Sequence, residues 1–410
     1  MSKNMKSLLL LYILVLCTAC APQGLPAAEA SPTSIATQPA LATTPPVSTS
    51  FPGPTATPTP LLPPPTPIFE ILIDNAAIGS QGQLYATGFG AYGNDLRNFA
   101  QWDDTNWIAL GSGFQTASNS LAVDSADHLY AEILTDSQQS MSNAIMRWND
   151  AKWEDITGNF SIGVDALKAG RVSSNIPVAA LAVDGEDNIY AAGSFYYPNA
   201  DHTAELPMGY VAKWDKETWT VLGQGFDKVN IYALAVSSSG QVYVSGEGPG
   251  TGFIAQWDGE TWTQIGTSKL NSCLSITSLA LEKAGGLYAS CTGSEAGAFI
   301  FYWDGTDWIT ITDQLEGEAP YVADLAVNQN GQLYIGGSFD SVSGIPARNI
   351  AYWDGSLWHA LGTGVNQPVN ALAVAPSGEL FAVGAFTRAG DLPVHYVVRW
   401  DGKTWHALGP

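Results

Sequence analysis

The sequence predicts an all-β protein, a seven-bladed β-propeller with four antiparallel strands in each blade. Three observations predict it. All fourteen Trp fall into seven W-x4-W pairs, each repeat holds four short apolar runs, and no long stretch has the 3.6-residue period of a helix. The pairs are Trp102/Trp107, Trp148/Trp153, Trp214/Trp219, Trp257/Trp262, Trp303/Trp308, Trp353/Trp358 and Trp400/Trp405.

The four runs are clearest in residues 325–362, which read LAVNQNGQLYIGGSFDSVSGIPARNIAYWDGSLWHALG. The runs LAV, LYIGG, NIAYW and WHALG are rich in Val, Ile, Tyr and Trp, and Gly, Asn, Asp and Ser separate them, as in short strands joined by turns. Seven such units predict one blade per repeat and a ring that protects its sheet edges. The other units begin at Leu121, Leu181, Leu234, Leu279 and Leu372, and more weakly near Ala76.

The segment W-x4-W, usually W-D-G-x-x-W, predicts a hairpin at the end of each repeat. Four residues separate the two Trp, so we expect them to face each other across strands three and four. Asp-Gly suits the turn, because Gly tolerates positive φ and Asp bonds nearby backbone groups. Truncating one buried Trp costs roughly 3–5 kcal/mol, so packing alone explains the pairs.

The order of these runs resembles the kelch repeat, carried by Tyr334-Ile335-Gly336-Gly337, Tyr352-Trp353-Asp354 and Trp358. The unit looks like the kelch-like repeats of bacterial surface proteins and fungal cortical polarity-marker proteins. The resemblance covers roughly residues 70–410 and implies the fold, but it does not imply a chemistry. A WD40 repeat needs Gly-His upstream of Trp-Asp, and no His follows a Gly in this chain. The Gly-Gly pair is replaced by Glu132-Ile133, Ser245-Gly246 and Ser290-Cys291 in three units.

Residues 1–19 have the pattern of a signal peptide. Lys3 and Lys6 precede an apolar run, residues 8–16, that is too short to span a bilayer. The sequence Thr18-Ala19-Cys20 then resembles a lipoprotein signal, and the resemblance implies that Cys20 carries the lipid. We expect an extracytoplasmic protein anchored by lipid to the cell membrane; the alternative is a plain secretory signal and a secreted protein.

Residues 20–67 have the composition of an unstructured linker, and the propeller is predicted for residues 68–410. The linker holds 14 of the 24 Pro and 13 Ser or Thr, with Glu29 as its one charged residue. Such a segment cannot bury a core and favours extended polyproline II. At about 3.1 Å per residue it could hold the propeller roughly 100 Å or more from a membrane.

The charge balance excludes some partners. Lys3, Lys6 and Glu29 precede the predicted propeller, which leaves 14 basic and 37 acidic residues in it. That balance argues against nucleic acid and against an anionic membrane surface. We expect a monomer whose contact with the membrane is the N-terminal lipid.

Two cysteines, Cys273 and Cys291, remain within the predicted propeller. In an exported protein an even number of Cys favours a disulfide bond. Simple pairing through a turn near Ala284 would set Cys291 opposite Thr277, so a bridge would require the loop before the first strand to fold back. Two free buried thiols are the alternative.

Loop lengths predict which face binds a ligand. Connections between strands one and two, and between strands three and four, are short, whereas those on the opposite face, the second face, vary widely. The longest are residues 158–178 and 195–210, and variable loops on a rigid scaffold concentrate binding groups. Candidate ligand-binding residues are Tyr196, Tyr197, Asp201, His202, Glu205 and Tyr210, which suit a sugar or a peptide. A solvated loop held by its aromatic residues is the alternative.

A second candidate set consists of Arg97, Arg348 and His395. Each lies five residues before the strand-three Trp of its repeat, so we expect equivalent places on three neighbouring blades. Cations there could bind carboxylates of a ligand, or they could pair with local acids.

The sequence offers little support for catalysis. The Asp-box and Arg triad of a sialidase, the Tyr/His/Cys copper ligands of a galactose oxidase and a Cys/His zinc cluster do not appear. Asp124 and Asp184 end first strands and could bind Ca²⁺, but the other repeats do not continue a ring of ligands. We therefore expect no catalytic residues, no metal and no cofactor.

Three functions remain. The first is a membrane-tethered module that binds glycan or protein. The second is an extracytoplasmic carbohydrate-active enzyme, a lyase or hydrolase. The third is a purely structural protein of the cell envelope.

Overall fold

The computed structural model describes residues 72–89, 98–114, 118–137, 140–158, 178–193, 208–266, 269–293 and 297–409. Its contacts divide the chain into two units, Met1–Leu62 and Pro63–Pro410, and every described residue belongs to the second. The predicted signal peptide, residues 1–19, and the predicted linker, residues 20–67, lie outside the described residues.

Seven sheets, numbered I to VII in chain order, each contain four main strands. Sheet I comprises β1 (Leu72–Ile78), β2 (Leu84–Phe89), β3 (Phe99–Trp102) and β4 (Trp107–Ala109). Sheet II comprises β5 (Leu121–Val123), β6 (Leu129–Ser137), β7 (Ser140–Trp148) and β8 (Trp153–Asp155). Sheet III comprises β9 (Val178–Val183), β10 (Ile189–Gly193), β11 (Met208–Trp214) and β12 (Trp219–Val221), with β13 (Phe226–Asp227) beside β11. Sheet IV comprises β14 (Asn230–Val236), β15 (Val242–Glu247), β16 (Gly252–Trp257) and β17 (Trp262–Gln264). A 3₁₀ turn (Lys269–Ser272) then leads to sheet V, which comprises β18 (Cys273–Leu281), β19 (Leu287–Gly293), β20 (Ala298–Trp303) and β21 (Trp308–Thr312).

Sheets VI and VII carry extra short strands between their second and third main strands. Sheet VI comprises β23 (Tyr321–Val327), β24 (Leu333–Ser338), β27 (Ile350–Trp353) and β28 (Trp358–Ala360), and a small sheet beside it joins β22 (Leu315–Glu316), β25 (Ser341–Val342) and β26 (Ile345–Pro346). Sheet VII comprises β29 (Val369–Val374), β30 (Leu380–Gly384), β33 (Val397–Trp400) and β34 (Trp405–Ala407), with the hairpin β31 (Arg388–Ala389) and β32 (Leu392–Pro393).

The main strands of each sheet run antiparallel in chain order. Second strands such as β24 are almost wholly buried, which fits their continuous apolar sequence, while fourth strands alternate and face solvent on one side. The prediction of an all-β protein with four antiparallel strands per repeat is confirmed.

All seven Trp pairs are direct cross-strand neighbours on the third and fourth main strands. Their ring centroids lie between 4.7 and 6.3 Å apart. In sheets II, III, IV and VII the second Trp also bonds to the preceding sheet; for example, Trp262 Nε1 donates to the carbonyl oxygen of Leu222 at 2.8 Å, and Trp405 Nε1 to that of Leu361 at 3.1 Å. The predicted hairpin is confirmed, and these four pairs also join neighbouring sheets.

The W-D-G turn takes the geometry that its sequence predicts. Asp258 Oδ1 accepts hydrogen bonds from the backbone N–H groups of Thr261 at 2.6 Å and Glu260 at 2.8 Å. These bonds lower the pKa of the Asp258 carboxyl, because they favour its charged form. Gly259 has φ of 104°, which an L side chain rarely adopts.

The first strands of successive sheets contact each other in the order β1, β5, β9, β14, β18, β23 and β29, and β29 in turn contacts β1. Sheets I and VII share one buried cluster, in which Ile73 and Val383 are both fully buried. Asn370 Nδ2 donates to the carbonyl oxygen of Ile73 at 3.1 Å. The first and last sheets are therefore packed against each other.

Most first strands contain a register shift just before the LAV run, for example between Val322 and Asp324. In sheets II, V and VI the residue directly before this run bonds to the next sheet. Asp324 Oδ2 accepts from the backbone N–H of Leu372 in sheet VII at 2.9 Å, and Ser120 Oγ accepts from that of Leu181 in sheet III at 2.8 Å. Polar side chains at this one position thus join the inner strands of neighbouring sheets.

A disulfide bond joins Cys273 and Cys291. The sequence led us to expect Cys291 opposite Thr277 and Cys273 in a loop folded back before the strand. Instead Cys273 begins β18, one register shift brings Cys291 opposite Ile276, and a second shift pairs Cys273 with Gly293. A bulge inserts one unpaired residue in one strand, so two bulges shorten the effective distance along β18 without any loop.

Candidate functional site

The turns between the first and second main strands lie on one side of the molecule, which we call the first face. Gly185 N–H donates to the carbonyl oxygen of Ser238 at 3.1 Å, and Ser125 Oγ donates to Asp187 Oδ2 at 2.8 Å, so these turns bond from sheet to sheet. Because strands alternate in direction, the W-D-G turns lie on the same face. The connections from second to third strands, and from each sheet to the next, lie on the second face.

Most residues of the predicted second-face loop fall outside the described residues, as does Arg97. They are Tyr196, Tyr197, Asp201, His202 and Glu205. Tyr210 is described and is half-buried in β11, opposite Gly193. A Cβ atom on Gly225 would come within 2.5 Å of Tyr210 Cε1, so this ring packs tightly against the connection that leaves sheet III.

Arg348 and His395 occupy equivalent places in sheets VI and VII, and both are exposed. Each precedes a residue of positive φ, Asn349 at 64° and Tyr396 at 65°. The carbonyl oxygens of Asn349 and Tyr396 accept from the equivalent glycines, Gly337 at 3.1 Å and Gly384 at 3.0 Å. The shared register inferred from the sequence therefore corresponds to a shared backbone geometry.

Exposed apolar residues near the starts of three first strands, on the second face, were missed by sequence reasoning. Tyr232, Leu274 and Tyr321 are 37, 43 and 37% exposed, and they lie near the starts of the first strands of sheets IV, V and VI. Tyr232 Oη donates to Glu247 Oε2 at 3.0 Å, and burial together with that carboxylate raises the pKa of Tyr232 to about 12. An available signal was the appearance of large apolar residues just ahead of three consecutive LAV-type runs.

Exposed acidic residues precede Tyr321 in the chain. Asp313, Glu316 and Glu318 are exposed in the connection from sheet V to sheet VI, directly before Tyr321. The disulfide at Cys273 fixes the start of β18, next to Leu274. The group, which we call the apolar patch (Tyr232, Leu274 and Tyr321), thus combines exposed apolar side chains, an acidic segment before Tyr321 and a covalently held strand.

A cleft of about 290 Å³ opens on the first face between sheets III and IV. Residues that line it include Asp184, Glu186, Tyr190, Lys213, Ser239 and Trp257. Lys213 Nζ lies 5.5 Å from the centroid of the Tyr190 ring and 3.7 Å from Asp184 Oδ2. The cleft therefore brings an aromatic wall together with a cation and hydroxyl groups.

Asp184 stabilises the turn between β9 and β10, which forms one side of this cleft. Its carboxylate accepts hydrogen bonds from the backbone N–H groups of Glu186 and Asn188, from the Asn188 amide and from Tyr190 Oη, at 2.8 to 3.0 Å. Burial alone would raise the pKa of Asp184, but these bonds outweigh it and lower the pKa. Asp124 holds the equivalent turn of sheet II through His128 and Tyr130. Both carboxylates are thus occupied by their own turns rather than arranged around a cation.

Two acids with raised pKa values lie apart in the fold. Burial raises the pKa of Glu132 to about 7 and that of Asp324 to about 6. They belong to sheets II and VI, which are not neighbours, and Asp324 bonds to Leu325 N–H, Leu372 N–H and Ser278 Oγ. Their positions suit support of the inner strands better than a shared acid–base step.

Within the described ranges, no three His, Cys, Asp or Glu side chains form a group that could hold a metal ion. The same ranges contain no helix with the length and hydrophobicity needed to cross a bilayer.

Solved structures place the fold. The β-propeller domain of the Trilobed protease from Pyrococcus furiosus aligns with a TM-score of 0.51 and 8% identity, over 83% of this chain and 98% of that one. A xyloglucanase from Xanthomonas campestris aligns with a TM-score of 0.52 and 14% identity, over 80% of this chain and 52% of that one. An acylaminoacyl peptidase from Pyrococcus horikoshii aligns with a TM-score of 0.50 and 10% identity, over 83% of this chain and 52% of that one. No protein-family model and no curated protein matches the sequence.

The four-stranded antiparallel sheets and these likenesses define the class as β-propeller. This chain spans about half the length of the xyloglucanase and of the peptidase. At such low identity the likeness shows the fold alone, so function has to be argued from this chain's own residues.

Proposed function

We propose that this protein is an extracytoplasmic, lipid-anchored interaction module that binds a protein partner through the apolar patch on its second face. The observation that carries the proposal is the exposure of Tyr232, Leu274 and Tyr321 on three consecutive sheets. Large apolar side chains gathered at one surface favour a protein interface, and Tyr is among the residues enriched there.

The charge around the apolar patch defines the partner more closely. Protein interfaces combine an apolar centre with a polar rim, and this rim carries Asp313, Glu316 and Glu318. The chain as a whole has a net charge of −22. A partner segment with apolar side chains flanked by Lys or Arg would complement both features, and the charge would also speed its association. Arg348 and His395 would face acids of the same partner farther from the centre.

The tether follows from the N-terminal sequence. Lipid on Cys20 and a Pro-rich linker over residues 20–67 would hold the propeller away from the membrane. We further propose that the seven sheets close as a ring of seven kelch-like blades. The cyclic contacts of the first strands and the Asn370–Ile73 hydrogen bond support closure.

Site-specific photocrosslinking tests the proposed interface. Benzoylphenylalanine replaces Tyr232, Leu274 or Tyr321 in the full-length protein in its native envelope. Matched controls carry it at Ile108, Ile309 or Leu357, which are at least as exposed but lie on fourth strands or a W-D-G turn. We expect one discrete crosslinked protein from the second-face positions alone. Equal crosslinking from the control positions, or no protein adduct from any position, would refute the interface.

A further inference from the structure

The cleft between sheets III and IV lies on the face opposite the apolar patch, and its lining has a chemistry of its own. We propose that it binds one ring of a neutral saccharide. The proposal goes beyond the protein-binding function, because its residues and its test are separate from those of the second face.

The aromatic wall of the cleft is Trp257, which is partly exposed there. The boundary between sheets II and III shows a different arrangement, in which Arg147 lies 5.9 Å over the ring of Trp214. Lys213 holds the same strand position as Arg147, one residue before the third-strand Trp. Lys213, however, lies over Tyr190 of its own sheet. Trp257 therefore lines an open cleft, where an apolar sugar face can stack on it.

Polar groups at the edge of the cleft match the hydroxyl groups of a sugar. Lys213 Nζ is 3.7 Å from Asp184 Oδ2, which is beyond hydrogen-bond distance, so its donors can serve a ligand. Glu186 contributes an exposed carboxylate as acceptor, and Ser239 an exposed hydroxyl group. A sugar hydroxyl both donates and accepts, so it can use a neighbouring cation and carboxylate together.

Size and charge favour a neutral ring. A volume of about 290 Å³ lies at the small end of ligand sites. Asp184 offsets the charge of Lys213, Glu186 adds a negative charge, and the protein is acidic overall. The negative field would repel an anionic ligand, and the Lys213 cation would repel a protonated amine. A polyhydroxylated neutral ring avoids both penalties.

The turn from Ser238 to Gly240 keeps the cleft accessible. Its side chains are small, and Gly240 has φ of 81°. Gly185 N–H of sheet III donates to the carbonyl oxygen of Ser238 at 3.1 Å, so this turn is joined to sheet III through its backbone. The small side chains of Ser238 and Ser239 leave space beside that bond.

Isothermal titration calorimetry of the full-length protein tests the proposal. The probes are glucose, galactose, mannose, N-acetylglucosamine and their disaccharides, with glucuronate and glucosamine as charged comparisons. We expect at least one neutral sugar to bind, with each charged analogue weaker by about tenfold or more. Binding of none of the neutral sugars, or tighter binding of a charged analogue, would overturn the proposal.

Variants locate the binding. Lys213→Met removes the cation, and Ser239→Trp fills the cleft from an exposed turn, so neither disturbs the core. The matched controls are Arg399→Met and Asn330→Trp, which change the equivalent positions of sheets VII and VI. We expect the cleft variants to weaken sugar binding by about tenfold and the controls to stay within about twofold. Unchanged binding in both cleft variants, with melting curves that show folded protein, would place the sugar elsewhere.

Discussion

Trp219 Nε1 donates a hydrogen bond of 2.8 Å to the carbonyl oxygen of Ile156, which belongs to the preceding sheet. Trp358, the equivalent residue of sheet VI, is similarly buried, but its Nε1 has no hydrogen-bond partner among the described residues. The same residue type therefore makes two different energetic contributions at equivalent positions.

Replacing each of these Trp with Phe separates packing from hydrogen bonding. Both variants lose similar ring volume, but Trp219→Phe also leaves the Ile156 carbonyl without its donor, whereas Trp358→Phe removes an unpartnered N–H. We expect Trp219→Phe to lower the free energy of unfolding by about 1–3 kcal/mol more than Trp358→Phe does. Urea denaturation of both variants measures the difference, and equal losses would contradict it.

Asn370 tests whether the ring is closed. Asn75 Nδ2 donates to the carbonyl oxygen of Asn119 at 2.7 Å and joins sheets I and II, while Asn370 joins sheets VII and I. In a closed ring, both Asn370→Ala and Asn75→Ala should cost about 1 kcal/mol, and Asn370→Ala should also raise amide hydrogen exchange in β1 and β29. In an open arrangement the Asn370 variant would leave both the stability and the exchange unchanged.

The repeated features of the fold were predictable because they recur, the Trp pairs and the four runs in all seven repeats and W-D-G in the last four. The Trp pairs, the W-D-G turns and the four runs each have a local sequence signature, and each appears in the structure as expected. The position of the disulfide was not predictable in detail, because the bulges at Leu274 and Thr277 shift a register that sequence alone cannot count.

The candidate sites were less predictable, for two physical reasons. Exposure depends on what neighbouring sheets cover, so Tyr232 and Tyr321 look like ordinary strand residues in the sequence. The cleft depends on Lys213 lying over Tyr190 rather than over Trp257, a choice of side-chain direction that the repeat pattern does not encode. The shared geometry of Arg348 and His395, in contrast, followed directly from their spacing to Trp.

Asp324 should make stability depend on pH. Burial raises its pKa to about 6, whereas the unfolded chain releases this proton near the ordinary value of 3.8. Between those pH values the folded state binds more protons, so the free energy of unfolding falls as pH rises and recovers on acidification, by roughly 3 kcal/mol for this group. Asp324→Asn should make the profile between pH 4 and 7, measured by chemical denaturation, less steep, and the slope that remains should come from Glu132, whose pKa is also raised. The same slope in this variant as in the wild type and in a Glu318→Gln control would contradict the assignment.

Cys20 should determine membrane attachment. Cys20→Ser removes the thiol that the lipoprotein signal would modify, whereas Cys17→Ser changes a cysteine within the predicted signal peptide. We expect wild type and Cys17→Ser to partition into Triton X-114 detergent and to incorporate an alkyne-labelled fatty acid. The Cys20→Ser protein should do neither. Detergent partitioning and labelling of the Cys20 variant would show that the anchor lies elsewhere.

The affinity of the full-length protein for the partner captured by crosslinking tests the proposed function most directly. One variant changes Tyr232, Leu274 and Tyr321 to Ser, and its matched control changes Ile108, Ile309 and Leu357 to Ser. Removing apolar anchors from the centre of an interface typically costs more than 1 kcal/mol each, so we expect the Kd of the first variant to rise at least about tenfold. The control should keep the wild-type Kd. Equal affinity of the two variants for the partner would contradict the second-face interface.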